Sequence, residues 1–115
     1  MEVTATEDAN CQIITINGEL DANSAIEFDT LLTASINQLH KQILINCTRL
    51  NYISSAGIGV FTSKIEDCKQ KGIALVLFGV TDTVSNVFSI LGLDQLLPIE
   101  KTLDDAKKAA NDIVL

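Results

Sequence analysis

Ser54 and Ser55 stand where an apolar strand gives way to an amphipathic helix, within the stretch Leu50-Asn51-Tyr52-Ile53-Ser54-Ser55-Ala56-Gly57-Ile58-Gly59-Val60-Phe61. A helix start exposes unpaired backbone N–H groups and the positive end of the macrodipole. A serine there caps the helix, and the same position favours a phosphate. The local residues leave both roles open: a structural cap or a phosphorylated switch. Glycines follow at 57 and 59, and each costs on the order of 1 kcal/mol relative to alanine inside a helix. Either tight packing of the helix on a sheet or close approach by a partner would account for them.

Covalent catalysis is poorly supplied. A serine nucleophile needs a base, and the only histidine, His40, falls at the end of a different helix, where a donor near the last carbonyls is its simplest role. Ser55 is not in a Gly-x-Ser-x-Gly elbow. No Gly-Lys-Ser/Thr follows a glycine-rich loop, and Gly57-Ile58-Gly59 lacks a third glycine. Asp104 and Asp105 are adjacent at a helix start, where the dipole explains them. Cys11, Cys47 and Cys68 are widely spaced, with no CxxC or Cys/His pattern, and read as small buried apolar residues in a reducing compartment. No catalytic residue, metal site or cofactor is expected, and an enzyme ranks last among the readings.

The elements that must hold the junction follow from periodicity. Val3–Thr6 and Cys11–Asn17 read as strands, joined by a turn over Asp8-Ala9-Asn10 and ended by Gly18. Ser24 with Glu27 three residues on resembles a capping box. It opens a helix with Ile26, Leu31, Leu32, Ile36 and Leu39 at helical spacing, closed by His40 and Lys41. Gln42–Cys47 is an apolar run that suggests a strand buried on both faces, and Thr48–Asn51 is its connection to the serines. After Ser55, Ile58, Phe61, Ile65 and Cys68 form an amphipathic stripe.

Ile73–Phe78 is the most apolar strand. A short helix begins at Asp82 with Val84, Val87, Phe88 and Leu91 on one face. Gln95–Ile99 is a short strand that Pro98 confines to an edge or an end. Thr102 caps a last helix with Leu103, Ala106, Ala110 and Ile113 inward. The order β-β-α-β-α-β-α-β-α implies an α/β fold with a mostly parallel or mixed sheet of about five strands and about four helices. One domain over residues 1–115 suits the length.

The bulk numbers narrow the partners. The chain is 47% hydrophobic and carries a net charge of -7, which argues against direct nucleic-acid binding and against anionic membrane surfaces. The longest apolar run, Ile73–Phe78, is too short to span a bilayer. No basic region followed by an apolar run opens the chain, so a cytoplasmic protein without membrane insertion is expected.

Three motifs, in order along nearly the whole chain, resemble the STAS domain of bacterial anti-sigma factor antagonists. Gly18-Glu19-Leu20-Asp21 resembles the motif that leads into the family's first helix. Tyr52-Ile53-Ser54-Ser55-Ala56-Gly57-Ile58-Gly59 resembles its signature loop, aromatic-apolar-Asp-Ser-Ser/Thr-Gly-Leu-Gly. Val87-Phe88-Ser89-Ile90-Leu91-Gly92-Leu93 resembles the later segment around the third helix.

The resemblance implies a phosphoprotein that takes part in partner switching and transcription regulation. Aligned on Gly57, the phosphoacceptor is Ser55, with Ser54 as rival. The implied kinase is the serine-kinase anti-sigma factor itself, and a metal-dependent protein serine phosphatase removes the phosphate. The unphosphorylated form would bind the kinase and release its sigma factor. Asp21, Ser54, Ser55, Ala56, Gly57, Ile58 and Gly59 are the implied partner-binding residues. The chain departs from the pattern at Ser54, where Asp is usual, and at Ala56, where Ser or Thr is common. The first departure keeps a second reading open: a STAS-type adaptor without a phosphoswitch, in a lipid-transport or sensory complex.

Overall fold

The computed structural model describes residues 2–8, 11–38 and 40–112. Along the chain run β1 (Glu2–Asp8), β2 (Cys11–Leu20), α1 (Ala22–Asn37), β3 (Gln42–Ile53), α2 (Ser55–Gln70), β4 (Ala74–Phe78), α3 (Asp82–Ile90), a 3-10 turn (Leu93–Gln95), β5 (Ile99–Glu100) and α4 (Leu103–Asp112). The strands lie side by side in chain order. β1 is antiparallel to β2, and β2 through β5 are mutually parallel. The expected α/β architecture is therefore present as a five-stranded mixed sheet with four helices.

Chain order and handedness decide where the helices go. Parallel crossovers are right-handed, and here each steps one strand further in the same direction, so α1, α2 and α3 all fall on one face. Each contributes one phenylalanine to the core there. The rings of Phe28 and Phe61 are 5.0 Å apart, and those of Phe61 and Phe88 are 5.5 Å apart, close to edge-on. Such pairs add about 0.5–1.5 kcal/mol beyond the area they bury. Ile14, Ile16, Ile43, Ile45, Leu75 and Leu77 meet them from the sheet. The alternate residues Ile13, Leu44, Val76 and Phe78 point to the opposite face, where Ala106 and Ala110 of α4 cover them. Both faces of the central strands are thus buried, as their continuous apolar runs require.

The three cysteines are buried and unpaired. Burial pushes the Cys47 thiol up to about 12 and that of Cys68 to about 11, so both stay protonated at neutral pH, as apolar fillers should. Among the described residues, no helix is long and apolar enough to cross a membrane.

Several boundaries differ from the sequence reading. β2 does not end at Gly18 but runs on to Leu20. Gly18 has φ 106° beside a shift in register with β3, a bulge conformation that suits glycine. Thr48–Asn51 is not a connection but part of β3. Two register shifts in the β2–β3 pairing change the buried spacing of β3 from two residues (Ile43, Ile45, Cys47) to three (Leu50, Ile53), which hides the strand from a period-two search.

α1 begins a turn earlier than the Ser24–Glu27 pattern implied, capped by Asp21, and it ends at Asn37, before His40 and Lys41. His40 nonetheless places Nδ1 3.1 Å from the Ser35 carbonyl, with Nε2 3.3 Å from Glu7 Oε1. Of the strand expected at Gln95–Ile99, Gln95 ends the 3-10 turn and only Ile99 is strand, as the first residue of β5. Pro98 precedes the strand and contributes only its carbonyl, which accepts from Leu77 N at 3.1 Å. Leu91 is 53% exposed at the end of α3 while Val84 and Phe88 are buried. The turn at Ala9-Asn10 and the inward placements of Leu39 and Ile113 lie outside the described residues.

Candidate functional site

β2 and β3 finish level. Glu19 pairs with Tyr52 and Leu20 with Ile53, and one residue later each chain enters a helix. Asp21 is the N-cap of α1 and Ser54 the N-cap of α2. The two turns are tied by a hydrogen bond from Ser54 N to the Leu20 carbonyl at 2.9 Å. Behind them, Thr81, the N-cap of α3, donates its hydroxyl to the Leu50 carbonyl at 3.3 Å. Three helix N-termini therefore gather at the carboxyl ends of the parallel strands, the end at which open α/β sheets bind ligands.

Asp21 is held firmly. Its Oδ1 accepts from Asn23 N and Ser24 N, both at 3.0 Å, and Ser24 Oγ accepts from Asp21 N at 2.8 Å in return. This is a reciprocal capping box, with serine where glutamate is usual. The buried Ser24 hydroxyl also donates to the Glu19 carbonyl at 2.8 Å, which fixes the exit from β2. Hydrogen bonds from the Ser24 backbone N–H and then its hydroxyl hold the Asp21 carboxyl below the usual carboxylate range. Its capping contribution is therefore present at neutral pH and is lost as pH falls through that lowered value.

The two serines have separate positions. Ser54 Oγ accepts from Gly57 N at 3.2 Å, and the residue is half-buried. Ser55 is the first residue of α2, and it is exposed. The cap role, open in the sequence, thus belongs to Ser54. Asp and Ser are near-equal N-caps, so the departure from the family pattern at residue 54 removes a charge and keeps the cap.

The glycines also part company. A Cβ on Gly57 would stand 2.7 Å from Leu20 Cδ2 and 3.0 Å from Ile53 Cγ1. Only a glycine lets α2 settle onto the ends of β2 and β3. A Cβ on Gly59 would have nothing within 4 Å, and the residue is exposed. Of the residues singled out from the sequence, Asp21, Ser54, Ser55, Ala56 and Gly59 reach the surface at this end of the sheet. Gly57 faces the core and Ile58 is half-buried against it. His40 precedes β3 and Ser55 follows it, so the one histidine and this hydroxyl sit at opposite ends of a 12-residue strand.

Ile26, grouped by its spacing with the apolar residues of α1, is 69% exposed. The buried set of α1 is Ser24, Ala25, Phe28, Leu32, Ser35 and Ile36, and Ile26 falls off that stripe. Counting phase from Phe28 would have revealed it.

Replacing Ser54 with alanine should lower stability by about 1 kcal/mol, the usual cost of a lost N-cap. Ser54→Asp should stay within ~0.5 kcal/mol of the parent, since it restores a cap of equal rank. Urea denaturation followed by circular dichroism measures both.

The chain is similar to known proteins. The STAS domain model matches residues 2–106. The anti-sigma-B factor antagonist of Staphylococcus aureus strain NCTC 8325 is 28% identical over 98 residues, spanning 85% of this chain and 90% of that protein. Its counterpart in Listeria monocytogenes is 33% identical over 89 residues, spanning 76% of each. The fold is similar to that of the phosphorylated Bacillus cell fate determinant SpoIIAA, with a TM-score of 0.74 at 20% identity, over 93% of this chain and 97% of that one. SpoIIAA in its unphosphorylated form gives the same TM-score and identity, over 97% of this chain and 100% of that one. By the family model and by these relatives, the chain belongs to the STAS domain family.

Proposed function

We propose that this protein is an anti-sigma factor antagonist, a regulatory binding protein whose state is set by phosphate on Ser55. The observation that carries the reading is the division of labour at the start of α2: Ser54 is committed to the cap, and Ser55 presents a free-standing hydroxyl to solvent. The partner is a serine-kinase anti-sigma factor. In the unphosphorylated state the chain binds it and the sigma factor is released. A metal-dependent serine phosphatase resets the switch. The names of the Staphylococcus and Listeria relatives support the antagonist role, and SpoIIAA is known in phosphorylated and unphosphorylated forms.

The physics of such a switch is local. Phosphate adds roughly −1.5 to −2 charge at pH 7. At a helix N-terminus a negative charge gains about 0.3–1 kcal/mol from the dipole, so the fold tolerates it. An interface fitted to a neutral hydroxyl must expel or desolvate the dianion. Gly59 extends that interface. It lies four residues after Ser55, on the same face of α2, and nothing within the fold requires its missing side chain. A partner surface that packs against the helix backbone there would.

The adaptor reading without a phosphoswitch drew on the absent aspartate at residue 54. The capping geometry of Ser54 weakens it, because the turn that presents Ser55 is kept.

Ser55→Glu should weaken binding to the cognate serine-kinase anti-sigma factor about 5- to 150-fold, the range of ordinary allosteric couplings. Its stability should stay within ~0.5 kcal/mol of the parent, as for surface substitutions generally. Calorimetric titration and thermal melts measure the two effects, and an unchanged affinity would remove the main support for the switch. Gly59→Ala should raise stability by about 0.5–1 kcal/mol through helix propensity while lowering affinity for the same partner. A variant both more stable and equally tight in binding would show that no partner approaches Gly59.

A further inference from the structure

The net charge of -7 is not spread over the molecule. Residues 1–40 hold seven acidic side chains and no lysine or arginine, whereas residues 41–115 balance eight acids with eight bases. Glu7 and Asp8 lie by the start of β2, at the end of the sheet away from Ser55, and Asp8 is met by Lys107 of α4 at 2.7 Å; the other described acids of residues 1–40 lie nearer to it. Glu19 and Asp21 stand at the exit of β2, and Glu27 and Asp29 lie on α1. On the neighbouring helix, Lys64 is already engaged, 3.3 Å from Asp29 Oδ1 and 3.6 Å from Asp67 Oδ2.

The same face carries the one large apolar side chain that α1 leaves exposed, Ile26. It stands between two hollows. Toward α2 a cleft of about 180 Å³ is lined by Ala22, Ala25, Ile26, Asp29, Ala56 and Val60. Ala56 directly follows Ser55, so this cleft begins at the switch position. Toward β1 a groove of about 410 Å³ is lined by Val3, Asn23, Ile26, Glu27, Thr30 and Leu31. An apolar ridge with hollows on both sides and an acidic surround is the pattern of an interface core with a charged rim.

We infer that the outer face of α1 is the second half of the partner surface, taking a basic region of the anti-sigma factor whose apolar side chains seat in the hollows beside Ile26. The inference rests on the reading of the chain as an anti-sigma factor antagonist and adds where and by what chemistry the partner docks. The occupant is basic because Glu19, Asp21 and Glu27 have no lysine or arginine within ion-pair distance among the described residues, whereas Asp29 and Asp8 are already met by Lys64 and Lys107. A second copy of the chain in a two-fold dimer would set this acidic face against itself, and nucleic acid or an anionic bilayer would be repelled. The division of labour has a kinetic form. Rim charge steers encounter and acts on the association rate, while buried anchors act on the dissociation rate.

The test is stopped-flow or surface-based kinetics with each serine-kinase anti-sigma factor encoded by the same genome. Ile26→Ser, Glu27→Lys, Ser55→Glu and Lys108→Glu are compared with the parent protein. Ile26 and Glu27 are exposed, so neither substitution disturbs the core, and Lys108 is an exposed control on α4 across the sheet.

Ile26→Ser should speed dissociation by about fivefold or more, the effect expected of an interface anchor. Glu27→Lys should slow association several-fold at about 50 mM salt and much less at about 500 mM, because salt screens steering. Lys108→Glu should leave dissociation unchanged. If Ser55→Glu weakens binding but Ile26→Ser and Glu27→Lys match the parent at both salt concentrations, the α1 face is not the docking surface and the Ser55 reading stands. If the parent protein binds none of these anti-sigma factors, both readings fall.

Discussion

The site depends on one close contact, the seating of the α2 start on the ends of β2 and β3. Gly57 lies against Leu20 and Ile53 with no room for a methyl group, and Ser54 N reaches the Leu20 carbonyl at 2.9 Å. A hydrogen bond and a glycine contact thus fix one helix start against the strand end that launches the other. Asp21 and Ser54 become neighbouring caps as a result. Ser55, one residue further on, is turned outward by the helix it begins. A larger residue at 57 would lift α2 from the sheet and move the hydroxyl relative to Asp21, with the phenylalanine core beneath it disturbed as well. The position of the Ser55 hydroxyl is therefore set by packing and not by the loop's own conformation.

The wider fold makes this contact possible. Strands in chain order with right-handed crossovers send three helices to one face, and their N-termini all meet at one end of the sheet. Two of those N-termini are capped by side chains of their own turn, so their exposed dipole ends are quenched in part and remain receptive to added negative charge. A modification at this end can be tolerated by the fold while it changes what the surface will accept. The single row of Phe28, Phe61 and Phe88 ties the three helices together.

Much of this was readable from sequence where periodicity is regular. The element order, the buried faces of Ile43–Ile45 and Leu75–Leu77, the α2 stripe and the Thr102 cap of α4, which accepts from Asp105 N at 3.1 Å, follow from spacings of two and of three to four. The second half of β3 was not readable, because its register shifts replace alternation with a spacing of three. The start of α1 was masked by a capping pattern at Ser24 and Glu27, when Ser24 is the third residue of a helix that Asp21 caps. The two signature glycines carried the same local cost and could not be told apart, since only the tertiary structure shows Leu20 against one and open space beside the other. For the same reason, the sequence leaves the cap open between Ser54 and Ser55, and only the Gly57 N–H on the Ser54 hydroxyl assigns it.

That distinction is also the most direct point of attack. The purified chain, with its Ser54→Ala and Ser55→Ala variants, can be incubated with the cognate serine-kinase anti-sigma factor and ATP, then read by intact mass and peptide mapping. The account predicts one phosphate, on Ser55, retained in the Ser54→Ala variant and absent from Ser55→Ala. Phosphate mapped to Ser54, or none on any form under conditions where the kinase is active, would contradict it.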